Sequence, residues 1–356
     1  MQISRNIDWN SAVKHLDAFW HHDYIDPPCL QVSAPASKSE QDAAPPWDIP
    51  KQEENRHPAA AEAYSFRANY MRTCHFGESL PVLYPQWEAV QMTLGCQIQQ
   101  KSGTTWCHPA ADSIVDLELD HLSVDHPEVS VLLEKLDYCA AYFKDEAFIG
   151  FPPLGNAGDT LARAIGYDNM CIDLVENPEE VIAAEKKMTA MWKAMFDATY
   201  STVNRHLEGS CGWLPAWCPK RCALIEFDFG AMISPEMFQM YLPELIERAD
   251  YADYSIYHLD GPDALKHLDT ILAQKEFDAI QWEPGIACTD ICQWIPLMQK
   301  IQAAGKGLYI ASGRYSKEAV MEMLRNLRPE GLMIPLWLPS IQEAEEFMDT
   351  AEKMFR

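Results

Sequence analysis

The sequence predicts an α/β protein folded as a single (β/α)8 TIM barrel behind an N-terminal helical and irregular extension. Three observations carry that expectation. Short apolar runs of strand length recur from about residue 80 onward, about 24 to 32 residues from centre to centre, which is the length one strand plus one helix needs. The segments between them open with helix-capping residues. Residues 59–356 are chain enough for the roughly 250 residues of an eight-stranded barrel.

Taken in order, 6–22 reads as an amphipathic helix with Ile7, Val13, Leu16, Phe19 and Trp20 apolar. Residues 33–58 concentrate Pro, Ala, Ser and charge without a sustained period, so 1–58 is expected to be a helix and an irregular arm. Residues 59–73 read as a second helix. The clearest strands are ALIEFDF (223–229), SIYHL (255–259), DAIQW (278–282), GLYIA (307–311) and GLMIPLW (331–337). Among the helices, Asn177-Pro178-Glu179-Glu180 supplies a cap, a proline at the first helical position and acid in the first turn. Ser234-Pro235-Glu236 repeats the device, and Ser340 with Glu343 has capping-box spacing. A doubly wound nucleotide fold is disfavoured, because neither G-x-G-x-x-G nor G-x-x-x-x-G-K-[ST] is present.

Charge narrows the function classes. Asp plus Glu number 53 against 28 Lys plus Arg, a net charge of −25, and no basic stripe interrupts it, so neither nucleic acid nor an anionic membrane surface is an expected partner. No run approaches the roughly 20 apolar residues of a spanning helix. Asp8, Lys14, His15 and Asp17 break up the first twenty positions, unlike a signal peptide, and eleven cysteines scattered from Cys29 to Cys292 read as reduced thiols. The expectation is a cytoplasmic protein.

In a parallel barrel, function gathers at the C-terminal strand ends. There the sequence places Glu226 and Asp228, then His258 and Asp260 before Gly261, then Gln281, Trp282 and Glu283, with Cys288 a turn later. An acid after a strand also serves as a helix cap. An imidazole two residues from a carboxylate beside a glycine points further, to a titrating group at a close-approach turn, so His258, Asp260, Asp228 and Glu226 are the expected catalytic set. His258 and Asp260, with Glu226 or Cys288, could make a zinc site. The trio Cys211, Cys218 and Cys222 matches no standard metal spacing. Trp87, Trp106, Trp213, Trp217, Trp282, Trp294 and Trp337 lie in or next to proposed strand ends and loops, where aromatic rings either fill the core or wall a pocket for a flat or apolar ligand.

Three segments carry a family resemblance. FPPLGNAGDTLARAIGYDNMCIDLVENPEEV (151–181), EFDFGAMISPEMFQMYLPEL (226–245) and YHLDGPDALKHLDTIL (257–272) resemble elements of the uroporphyrinogen decarboxylase superfamily, the Ser-Pro-x-x-Phe helix being the most specific. The likeness covers about residues 60–356. It implies a (β/α)8 barrel, commonly dimeric, that either decarboxylates uroporphyrinogen or moves methyl groups to and from corrinoid proteins, in some members with zinc.

Departures favour the methyltransferase branch. The Arg-Gln-x-Gly-Arg loop that decarboxylases use for substrate carboxylates is absent, with only Arg67 and Arg72 near that place. A decarboxylase Asp-Trp is Gln281-Trp282 here, and residues 334–337 stand where decarboxylases show Gly-His-Gly. The zinc enzymes' His-x-Cys becomes His258-x-Asp260, and Trp337 stands near their C-terminal cysteine. The resulting expectation is transfer of a methyl group between a small methylated substrate and a partner-borne methyl-corrinoid, with acid or Lewis-acid activation. Trp106, Trp282, Glu283, Gln281, Trp213, Trp217 and Glu78 would line the substrate pocket. Decarboxylation of uroporphyrinogen or another acid, with Asp228 or Glu78 as proton donor, is one alternative, and a non-catalytic tetrapyrrole- or corrinoid-binding accessory is another.

Overall fold

The computed structural model describes residues 7–101, 104–144, 146–311 and 315–355. The strands are β1 (Cys29–Pro35), β2 (Thr73–Gly77), β3 (Val82–Leu83), β4 (Gln97–Lys101), β5 (Thr104–His108), β6 (Phe148–Ile149), β7 (Cys222–Glu226), β8 (Tyr254–Asp260), β9 (Ala279–Glu283), β10 (Gly307–Ile310) and β11 (Leu332–Trp337). Seven of them make one sheet in the order β2-β1-β11-β10-β9-β8-β7, parallel throughout except for β2.

The predicted closed barrel is therefore corrected. Among the described residues the sheet is open, with β7 at one edge and antiparallel β2 at the other. Where further strands would close it, the chain makes only the two-residue strands β3 and β6, which pair with one another. Pro81, Pro85, Pro152 and Pro153 flank that pair and supply no N–H to a ladder. Single bonds tie it down instead, such as Phe151 N–H to the Cys211 carbonyl (2.9 Å).

The five strongest predicted strands are all present as β7 to β11. The N-terminal arm differs from expectation. Cys29–Pro35 is a strand inside the sheet, with Leu30, Val32 and Ala34 buried on one side and Cys29 and Gln31 on the other, and short helices Lys38–Ala43 and Lys51–Glu54 follow it. The first helix spans Trp9–His21, and the Asn6 start expected for it lies outside the described residues. Ser234 and Ser340 accept the expected N-cap hydrogen bonds, from Met237 and Glu343 N–H (both 3.2 Å). Asn177 instead donates its amide to Asp173 (2.7 Å).

Side-chain alternation divides the sheet into two faces. Ile225, Tyr257, Ile280, Leu308 and Ile334 point to the helices and join the large core. On the opposite face Cys29, Cys222, Ile256, Ala279, Tyr309 and Met333 pack under Trp20, Phe148 and Trp217; Cys222, Ile256 and Ala279 lie toward the N-terminal ends of β7, β8 and β9, and Tyr309 lies opposite Gln281. That plug leaves the C-terminal half of the same face for polar side chains.

Candidate functional site

Strand register assembles the site. Glu226 on β7 lies opposite His258 on β8, and His258 opposite Gln281 on β9, so three polar side chains share one row and one face. The chain turns at Phe227 into a short 3-10 helix, Asp228–Met232, which brings Asp228 to the end of β7. Asp260 ends β8. From the other side, the loop 155–158 and the helix Asp159–Ile165 lean over these ends. Asn156 donates its amide to Glu226 Oε2 (2.6 Å), and the Asp159 carboxylate accepts the N–H groups of Asp228 (3.0 Å) and Phe229 (2.6 Å).

The result is a graded stack of acids. Asp159 is buried, Glu226 partly so, and Asp228 is open at the mouth. Ligand atoms of Asp159, Glu226 and Asp228 all lie within 4.8 Å of one another, as do those of Asp228, His258 and Asp260. Asp228 is common to both groups. Among the described residues, the one basic side chain within ion-pair distance of any of these four acids is His258, whose Nε2 lies 3.8 Å from Asp228 and which is charged only when protonated. Burial and crowding of like charges, with no Lys or Arg in contact among the described residues, raise Asp159, Glu226 and Asp228 above the ordinary carboxylate range. Burial, then the Asp228 charge, pushes Asp159 up to about 8 against the pull of its two backbone donors. Burial and the charges of Asp228 and Asp159 hold Glu226 well above the usual carboxylate range. Partial desolvation raises Asp228 as well, opposed by His258 and by a hydrogen bond from Glu226. Glu226 and Asp228 are thus neighbouring carboxyls that are both pushed toward the protonated form.

His258 is oriented by its neighbours. Its Nδ1 lies 2.6 Å from Gln281 Oε1, an atom that only accepts, so Nδ1 carries the proton and Nε2 is directed toward Asp228. Trp213 stands edge-on to the imidazole, with centroids 5.1 Å apart.

The other expected site residues scatter. Trp282 is fully buried on the helix-facing side against Trp294, because β9 alternation turns it away from Gln281. Trp217 belongs to the plug, packed on Trp9 and bonded to the Glu208 carbonyl. Glu78 is at that same end, accepting Leu30 N–H (2.7 Å). Trp106 is exposed on the β4–β5 hairpin. Glu283 caps Gly285 N–H and lines a cavity of about 290 Å³ with Cys288, which lies outside both ligand groups. Cys211, Cys218 and Cys222 are buried, and none belongs to either group.

Sequence reasoning missed Asn156 and Asp159. Their signal was Gly155-Asn156-Ala157-Gly158-Asp159, two glycines framing polar residues at a helix start, which reads locally as ordinary capping. Gly158 adopts φ +59°, and a Cβ there would come within 2.3 Å of the Phe227 ring, so the loop meets the end of β7 at backbone distance.

No protein-family model matches the chain, and no curated protein matches it. Among the described residues no helix is long and apolar enough to cross a membrane.

Proposed function

We propose that the protein is a methyltransferase of the corrinoid-linked kind its sequence resembles, moving a methyl group between a small neutral or cationic substrate and a corrinoid protein. The observation that carries this reading is the cluster of Asp159, Glu226 and Asp228 beside His258, whose acids have no Lys or Arg partner among the described residues and are pushed toward the protonated form by burial and by one another. Removing a methyl group from a heteroatom leaves the bonding electron pair on that atom. An acid that delivers a proton there makes it a leaving group, an effect of roughly 10²- to 10⁴-fold. Glu226 stores the proton, Asp228 passes it outward, and His258 Nε2 holds the heteroatom in line. A polycarboxylate substrate would instead meet repulsion.

The donor set Asp228, His258 and Asp260 also fits a divalent cation, with Gln281 fixing the imidazole tautomer as outer partners of metal ligands do. Zinc bound by these oxygens and one nitrogen would supply Lewis-acid polarisation of the heteroatom.

The test is methyl transfer to added cob(I)alamin from methoxyarenes, methylamines and methyl thioethers. Turnover with one class, abolished by His258→Ala, supports the reading. No transfer from any of them sinks it. Elemental analysis of the purified protein decides the metal, with zinc expected at one per chain and lost on Asp260→Ala.

A further inference from the structure

The acid site uses no cysteine, yet two of the eleven meet on the β4–β5 hairpin. The ladder sets Gln97 opposite His108 and Ile98 opposite Cys107. Side chains alternate along a strand, so Cys96, one residue before β4, shares the face of Ile98 and Cys107. The two chains stay side by side past the end of the ladder, where a Cβ on Gly95 would lie 3.6 Å from Ala110 Cβ. Cys96 and Cys107 are thus diagonal neighbours, and their thiols meet in a hydrogen bond. Both pack on the large core, but unequally: Cys96 is 6% exposed, whereas Cys107 is partly open to solvent. Cys107 Sγ also lies 3.8 Å from the Arg163 carbonyl, in the helix Asp159–Ile165. The Cys96 hydrogen bond and the Arg163 charge, working against burial, hold Cys107 below the usual thiol range. Hydrogen bonding to Cys107, then burial, holds Cys96 well above it. The thiolate is the reactive form, so an accessible sulfur inclined to react has an enclosed partner in contact with it. Among the described residues Cys218 and Cys222 also touch, but at 0% and 1% exposed they are closed to a reagent from solvent.

We propose that Cys96 and Cys107 are an oxidisable dithiol, a modification site at which a hydroperoxide joins the two sulfurs in a disulfide. The site stands apart from the methyl-transfer reading and does not depend on it. The Cys107 thiolate attacks the terminal oxygen of the peroxide, so that an S–O bond forms as the O–O bond breaks. The departing oxygen takes up the proton the thiol had given and leaves as water or, from an organic peroxide, as an alcohol. Cys107 is then a sulfenic acid. The Cys96 sulfur attacks it, the S–S bond forms, the S–O bond breaks, and hydroxide leaves as water with the Cys96 proton. Two thiols are oxidised and one peroxide is reduced. Sulfurs already in contact can close to the roughly 2.05 Å of a disulfide bond without unfolding the hairpin.

The test treats the unaltered full chain with a small excess of hydrogen peroxide, alkylates the remaining thiols under denaturing conditions and maps the peptides by mass spectrometry. The expected product is a peptide pair linked through Cys96 and Cys107, two hydrogens lighter than the reduced pair and separated again by dithiothreitol, with Cys218 and Cys222 still alkylated. In Cys96→Ser the sulfenic acid on Cys107 has no thiol to resolve it and should be captured by dimedone, whereas Cys107→Ser should give no dimedone adduct on Cys96. A Cys96–Cys107 pair that stays reduced, or that forms only after Cys218 has joined Cys222, overturns the proposal. A dimedone adduct on Cys96 in Cys107→Ser, with none on Cys107 in Cys96→Ser, overturns the assignment of Cys107 as the sulfur that meets the peroxide.

Discussion

The two ends of the sheet's inner face are made by the same strands and do opposite things. At the N-terminal end Cys222, Ile256 and Ala279 are filled over by Trp20, Phe148 and Trp217, and the buried acid Glu78 has His15 Nδ1 at 3.0 Å and the Leu30 N–H as partners. A few residues further along, Glu226, His258 and Gln281 face Asp159, Asp228 and Asp260 with no Lys or Arg in contact among the described residues. The first end follows the rule that buried charge is paired, and the second breaks it. The crowded end is accordingly where we propose the chemistry lies.

Exchanging damage between the ends should give the largest effects. Trp217→Ala empties the plug and should lower unfolding free energy by about 3–5 kcal/mol in a urea titration, while the molecules still folded keep their specific activity. His258→Ala should do the reverse. It should cut methyl transfer by roughly 10²- to 10⁴-fold with stability changed by less than about 1 kcal/mol. Two variants that each lose stability and activity alike would erase the division of labour.

Asp159 offers a finer cut. Its folded value is about 8 and its ordinary value 3.8, so between these the folded chain binds more protons than the unfolded one, and stability falls as pH rises through that window. Asp159→Asn should flatten this slope. The variant should match the unaltered protein at about pH 4 and exceed its unfolding free energy increasingly as pH rises to about 8, measured by urea unfolding at a series of pH values. Equal slopes in the two proteins would mean that the crowding is relieved by another route, such as a bound cation.

What the sequence disclosed follows the same division. Strands β7 to β11 were readable because each is a short apolar run bounded by turn residues, and Glu226, His258 and Gln281 because they sit where such strands end. Closure of the barrel was not readable. It depends on whether proline-flanked fragments such as β3 and β6 can ladder with their neighbours, and spacing is silent about hydrogen bonds. Trp282 and Trp217 show a related limit. An aromatic near a strand end looks the same in sequence whichever face it takes, and one step of alternation separates pocket from core. Asn156 and Asp159 come from a loop some 70 residues before β7, a partnership that tertiary packing alone creates.

The smallest effect belongs to the paired end and tests whether pairing there is complete. Burial acts to lower His15, but the contact and charge of Glu78 overcome it and leave the imidazole raised above 6.5. A raised imidazole contributes stability that is fully present below the unfolded value and lost as pH rises through the folded one. Glu78→Gln keeps an oxygen for Leu30 N–H and removes the charge, so burial then acts on His15 against only the weaker pull of Asp26 and Glu352. The unaltered protein should be more stable than Glu78→Gln by about 1 kcal/mol at about pH 5.5, with the margin shrinking above neutrality. This window starts near 6.5, whereas that of Asp159 starts near 4, so the double variant Glu78→Gln/Asp159→Asn should show the two changes added without interaction. Coupling between them beyond about 0.5 kcal/mol would mean that the plug transmits strain to the acid stack, and the two ends would then be one cooperative unit.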